Sequence, residues 1–155
     1  MRRLASILGI LIALIASPAM PGTSPAAAFD LSHYRGQVVV VDFWASWCKP
    51  CRQSIPWLNE LRARYGAQGL VVVGINVDAE SADAQRFMRE VPMDFDVYLD
   101  PQGDVARQFK VPAMPVSYVF DRNGALAERH LGFREAQRAP FEASLAALLA
   151  RDASH

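Results

Sequence analysis

Cys48 and Cys51 are the two cysteines of this 155-residue chain, and only Lys49 and Pro50 separate them. A disulfide across so short a gap restrains little of the unfolded chain, so stability is a poor reason for having one. A zinc site wants four ligands, and the sequence has neither a second cysteine pair nor a two-histidine cluster. No metal and no cofactor is therefore expected, and the pair reads as a dithiol that opens and closes. A thiolate is the attacking form of cysteine, and the unpaired N–H groups and macrodipole of a helix start favour it. Cys48 is expected at such a start, as the attacking sulfur. Cys51, one turn further in, is expected to be shielded and to resolve the mixed disulfide.

The residues around the pair sort by what each could add. Lys49 brings a positive charge near the sulfur, but an exposed charge is screened, so a solvated side chain without a role is an equal reading. Pro50 lacks an N–H and presets φ, which suits a first helical turn. Trp47 is expected as an apolar surface beside Cys48, with Phe43 and Trp44 as packing. Asp42 interrupts an apolar run, where an unpaired carboxylate is costly. It either assists the chemistry or merely ends a strand and bonds backbone amides. His33, His130 and His155 read as solvated, as do Arg86, Arg89, Arg107 and Lys110.

Positioning these residues requires a particular order of elements. Residues 37–43 contain Val38-Val39-Val40-Val41, the pattern of a strand buried on both faces, and 70–77 repeat it after a helical stretch over 48–65. Strand, crossover helix and strand imply a right-handed βαβ unit with a parallel sheet. A helix is expected over 81–90 with Ser81 as N-cap, and a shorter one over 104–109 after the apolar Val97-Tyr98-Leu99. Asn123-Gly124 between runs at 116–120 and 125–131 predicts a hairpin whose two turn residues take positive φ. Phe141, Leu145, Leu148 and Leu149 share one face of a closing helix. The class is α/β, with a mixed sheet built as βαβ, helical insertion, ββα and flanked by helices.

Length and composition allow one domain with an ordinary core, at 52% hydrophobic and 21% charged residues. The 16 basic and 16 acidic residues cancel, and no clustered basic surface suggests nucleic acid. Residues 1–28 carry Arg2-Arg3, an apolar run over 4–16, then Pro18, Pro21, Gly22 and Pro25 before Ala26-Ala27-Ala28. That is the layout of a secretory signal peptide, with the domain proper at 29–155. The alternative is a retained anchor, although the run is shorter than the ~20 residues a spanning helix needs. Removing the two arginines leaves 14 basic residues against 16 acidic ones, a net charge of −2.

The stretch Val41-Asp42-Phe43-Trp44-Ala45-Ser46-Trp47-Cys48-Lys49-Pro50-Cys51 closely resembles the active-site segment of thioredoxins. Pro56 falls where that family carries a kinking helix proline, and Met114-Pro115 where it has a cis-proline. The extra length between Asn76 and Pro115, with Leu31-Ser32-His33-Tyr34-Arg35-Gly36, resembles the TlpA/ResA-like (DsbE-like) periplasmic branch. The likeness covers about residues 30–149. It departs in lacking room for a full N-terminal β-hairpin. It also has Ala79, between Asp78 and Glu80, where ResA-like members carry a glutamate, so no such role is carried over.

The resemblance implies a periplasmic thiol–disulfide oxidoreductase, a reductant of the cytochrome c maturation or copper-centre assembly type. It implies Asp42 as a buried acid behind Cys51, able to exchange a proton with it, and Met114 and Pro115 lying against the cysteine pair. The partners it implies are protein disulfide substrates and a membrane-embedded thiol electron donor, with the protein itself a monomer. A Cu(I) carrier using both thiolates and Met114 is the alternative, since soft ligands suit that ion. The related Sco-type carriers space their cysteines one residue further apart and add a histidine, and this chain does neither. Peroxidatic relatives place threonine or serine three residues before the cysteine, where Ala45 stands here.

Overall fold

The computed structural model describes residues 29–151. The signal-peptide segment and His155 lie outside these residues. Five strands form one sheet in the order β3-β2-β1-β4-β5. β1 (Val38–Trp44), β2 (Leu70–Asn76) and β3 (Asp96–Leu99) are parallel, β4 (Val116–Phe120) is antiparallel to β1, and β5 (Leu126–Leu131) is antiparallel to β4. The helices are α1 (Cys51–Tyr65), α2 (Ser81–Glu90), α3 (Asp104–Gln108) and α4 (Glu135–Arg151). This is the mixed sheet flanked by helices that the sequence pattern implies.

β1 is buried at all seven positions because it lies mid-sheet with both faces covered. Val38 and Val40 face a cluster with Trp57, Leu58 and Leu61 of α1 and Phe141 and Leu145 of α4. Val39, Val41 and Phe43 face the other way, onto Val105 of α3, Tyr118 and the leading residues Leu31 and Tyr34. A third cluster gathers Trp44, Ile55 and the α2 residues Ala84 and Phe87 around the two cysteines.

Four local expectations are corrected. The insertion is not purely helical: Asp96–Leu99 adds β3 to the sheet edge, pairing Val97 with Gly74 and Tyr98 with Ile75. Ser81 is the first residue of α2 rather than its cap, and no side chain caps that helix. The hairpin is not a two-residue turn with paired positive φ, since in it only Gly124 takes positive φ, at 79°. The Asp121 carboxylate instead accepts from the N–H groups of Asn123 and Ala125, Gly124 donates to the Asp121 carbonyl, and a bulge shifts the register after Val119. Aspartate at a turn's first position competes well for such N–H groups, and a left-handed glycine followed by a bulge then restores the twist. Finally, α1 begins at Cys51 and not at Cys48.

Gly74 shows how closely this sheet is packed beside the site. It sits in mid-β2 between Asp42 and Val97, and a Cβ there would lie 3.0 Å from both Phe95 Cε2 and Trp44 Nε1. Trp44 is fully buried and has little room to withdraw. Gly74→Ala is therefore expected to destabilise the fold by about 1–3 kcal/mol through overpacking. Urea unfolding of variant and parent measures this, and an unchanged midpoint would show that the rings can move aside.

Candidate active site

The cysteine pair lies where β1 ends and α1 begins. Cys48 N–H donates to the Ala45 carbonyl at 3.1 Å, and Cys51 N–H to the Cys48 carbonyl at 3.1 Å. Arg52 N–H then reaches Lys49, and Ser54 N–H reaches Pro50. The three-residue bonds give way to four-residue ones at that point, which is why the regular helix starts three residues late. Cys48 thus precedes the helix, in the tighter turn that leads into it. Pro50 at the cap has no N–H to leave unpaired.

Cys48 and Cys51 are joined as a disulfide, with S–S 2.06 Å and Cα–Cα 5.3 Å. Cys51 is fully buried, and Cys48 is only 4% exposed, so an incoming group has a narrow approach. Beside that approach Trp47 is 69% exposed and Lys49 points to solvent. Met114 packs on the cluster that contains both cysteines, and its bond to Pro115 is cis. Trp47, Val77, Val111, Pro112, Ala113 and Met114 line a surface groove next to the motif. Among the described residues the N–H and carbonyl of Met114 have no backbone partner, whereas the Pro115 carbonyl accepts from Gly132 at 2.8 Å.

Asp42 is 1% exposed on β1, on the face beneath α1 and α4. Ser117 Oγ donates to its Oδ1 at 2.6 Å, and its Oδ2 has no partner. Burial pushes its carboxyl up to about 7, with the Ser117 bond opposing part of the rise. Ser54 lines the same cavity and donates to the Cys51 carbonyl, so the acid sits under the first turns of α1. It does not end the strand, which continues to Trp44.

Two residues stand differently in the structure than the sequence pattern implies. His130 is not a solvated side chain: it is half-buried, lines the cavity with Asp42, and packs edge-on against Phe141 at 4.3 Å. By contrast His33, Arg86, Arg89, Arg107 and Lys110 are exposed. Asp78, 5% exposed, accepts from Ser46 N–H at 3.0 Å, Ser46 Oγ at 2.9 Å and Asn76 Nδ2 at 2.8 Å. It ties the end of β2 to the loop carrying Trp47 and Cys48. Its only sequence signal is an acid just beyond an apolar strand, which does not say what it holds. Among the described residues no cluster of three or more His, Cys, Asp or Glu is placed to hold a metal ion.

This fold, with a dithiol pair at the β1–α1 junction, defines a thioredoxin-like redox protein. The sequence pattern of the AhpC/TSA family matches residues 19–129, and the chain belongs to that family, among its ResA- and DsbE-like members. It is 33% identical to the thiol-disulfide oxidoreductase ResA of Geobacillus kaustophilus over 63% of this chain and 56% of that one. The chain thus spans a little over half the length of the curated relatives it matches. A crystal structure described as a thiol:disulfide interchange protein DsbE, from Chlorobium tepidum, is 47% identical, with TM-score 0.75 over 77% of this chain and 84% of that one. StoA of Bacillus subtilis, 18% identical with TM-score 0.62 over 72% of this chain and 84% of that one, shares the fold.

The Asp42 environment has a consequence for stability. Below pH 3.8 the folded and unfolded forms both hold the proton; between 3.8 and about 7 only the folded form keeps it. Stability therefore falls as pH rises through that window and levels off above it, by up to about 4 kcal/mol from this group. In Asp42→Asn that component is lost, so the variant is expected to gain on the parent between pH 4 and 8 in urea unfolding. A constant difference across that range would mean that Asp42 is already ionised in the fold.

Proposed function

We propose that this protein is a thiol–disulfide oxidoreductase that reduces disulfides of exported proteins. The observation that carries the reading is the Cys48–Cys51 disulfide at the β1–α1 junction, following the strand that also carries the buried acid Asp42, whose carboxyl burial pushes up to about 7. In the reduced protein the Cys48 thiolate attacks a substrate disulfide, and one substrate sulfur leaves. Cys51 then gives its proton to ionised Asp42 and attacks Cys48 Sγ, releasing the second substrate sulfur and closing the protein disulfide. Trp47 and the free backbone of Met114 offer an apolar surface and main-chain bonds to an extended substrate segment. Lys49 and Pro50 have subordinate parts, a screened charge and a stiff turn. Ala45, in place of a hydroxyl residue, speaks against a peroxidase.

Residues 29–155 are the working domain in this reading, and residues 1–28 direct it to the periplasm as a cleaved signal or an anchor. Among the described residues no helix is long and apolar enough to cross a membrane. An oxidising compartment returns the pair to the disulfide, so two electrons must come from a membrane-embedded thiol donor. The substrates are of the cytochrome c maturation or copper-centre assembly class, and the protein acts as a monomer. The Cu(I) carrier finds no support in the names of the relatives.

Two measurements test the reading. Cys51→Ser is expected to accumulate mixed disulfides with exported proteins, and Cys48→Ser to trap far fewer; equal trapping would overturn the division of roles. The helix start and one screened lysine stabilise the thiolate only moderately, so the reduction potential is expected nearer thioredoxin's, about −270 mV, than DsbA's, about −120 mV. A value above about −180 mV, that of protein disulfide isomerase, would instead indicate an oxidase or isomerase.

A further inference from the structure

The sheet face covered by α1 and α4 carries a row of three polar side chains through an otherwise apolar layer. Asp42 on β1 is paired with Ser117 on β4, and Ser117 with His130 on β5. Directly opposed residues of antiparallel strands share a face with Cβ atoms about 5 Å apart, so the three form a line from mid-sheet to its edge. Ser117 Oγ donates to Asp42 and keeps lone pairs that can accept. All three line one cavity of about 20 Å³, room for a single water. The unpartnered Asp42 Oδ2 is a polar atom such a water would satisfy. At the far end, the His130 side chain is 23% exposed, with Nε2 2.6 Å from Glu128 Oε1, out of line for a hydrogen bond. Glu128 is itself held by Ser144 of α4. The line therefore starts at an acid sealed from solvent and ends at a partly exposed imidazole whose Nε2 is buried beside the partly exposed Glu128 carboxylate.

We infer that Ser117 and His130 form a proton relay with Asp42, carrying its proton between the active site and solvent at the β5 edge. The inference rests on the proposed dithiol reaction, in which each closure of the disulfide leaves one proton on Asp42. At 1% exposure Asp42 cannot hand that proton to bulk water directly. It cannot return it to Cys51 either, because that sulfur is then bonded to Cys48. A polar path leads away from the motif, along the row. Asp42 gives its proton to the cavity water or the Ser117 hydroxyl, which passes one on to the imidazole. The imidazole, which can take a proton at one nitrogen and lose one from the other, releases it to solvent or Glu128. The charge is conserved and nothing is oxidised. The other charged groups lining the cavity are Arg134 and Arg138, the latter paired with Glu60 of α1 and Glu135 of α4. Neither arginine can relay a proton, because a guanidinium does not deprotonate in this range. His130 is thus a positioning residue, acting through Asp42 and not on the sulfurs.

The test is dithiothreitol-driven reduction of a disulfide-bonded peptide from pH 5.5 to 8.5 by the parent and by Asp42→Asn, His130→Gln, His130→Gly and Ser117→Ala. His130→Gln is expected to lower turnover about 10-fold near neutrality, the low end for loss of a proton-transfer group, and to change the shape of the pH profile. Alkylation of Cys48 by iodoacetamide should be unchanged. Added imidazole should restore His130→Gly, which a packing defect would not allow. Ser117→Ala, which removes less volume, should also slow turnover. If Asp42→Asn is slow but His130→Gln and Ser117→Ala match the parent, or imidazole restores nothing, the relay is wrong and the dithiol reading survives. If Asp42→Asn itself matches the parent, the relay has no proton to carry and also falls, while trapping on Cys48 still judges the oxidoreductase.

Discussion

The burial of β1 constrains everything else in the molecule. Seven consecutive residues have no exposure to speak of, so their backbone groups must be bonded on both sides, to β2 and to β4. Those two ladders fix the height at which the strand stops, just past Trp44, and hence where the chain turns over to reach Cys48. The same burial gives Asp42 its altered chemistry. A carboxyl on an edge strand would ionise freely; here desolvation outweighs the single bond from Ser117. One strand thus positions the sulfurs and tunes the acid.

The loop after β1 would still be free to wander without its second tether. Asp78 supplies that tether by taking three donors from Ser46 and Asn76 at the end of the neighbouring parallel strand. Parallel strands end on the same side of a sheet, so the residues just past β2 lie beside the motif loop. On the other side, β4 and the segment before it bring Met114 against the cysteines. Trp47 is left outside these restraints, exposed beside the groove, as a surface that meets another molecule must be.

Polar groups inside the α1/α4 layer are few, and Ser117 and His130 are the ones paired in register with Asp42 toward the β5 edge. A buried polar side chain is costly unless it is paired or used. Valine or leucine at Ser117 or His130 would seal the layer more cheaply. The row is kept compatible with folding by the Ser117–Asp42 bond and by the edge position of β5, where the His130 side chain is partly exposed.

What the sequence by itself determined is what short-range pattern encodes. The two cysteines at one helical turn's spacing, the four-valine run, the apolar faces of α1 and α4 and the odd carboxylate in a buried strand are each patterns within one short stretch of chain, where period and side-chain chemistry suffice. Even there, local competition misled: the Asp121 carboxylate took the turn's N–H groups from Asn-Gly, and Ser81 entered its helix without capping it. Only the tertiary structure decided the rest. Ser46 meets Asp78 across 32 residues of chain and Ser117 meets Asp42 across 75, and no local periodicity records such distances. His130 looked solvated because alternation along a strand says which residues share a face, not which face is covered. Sheet order settled that, by placing β5 beside β4 with α4 packed over both.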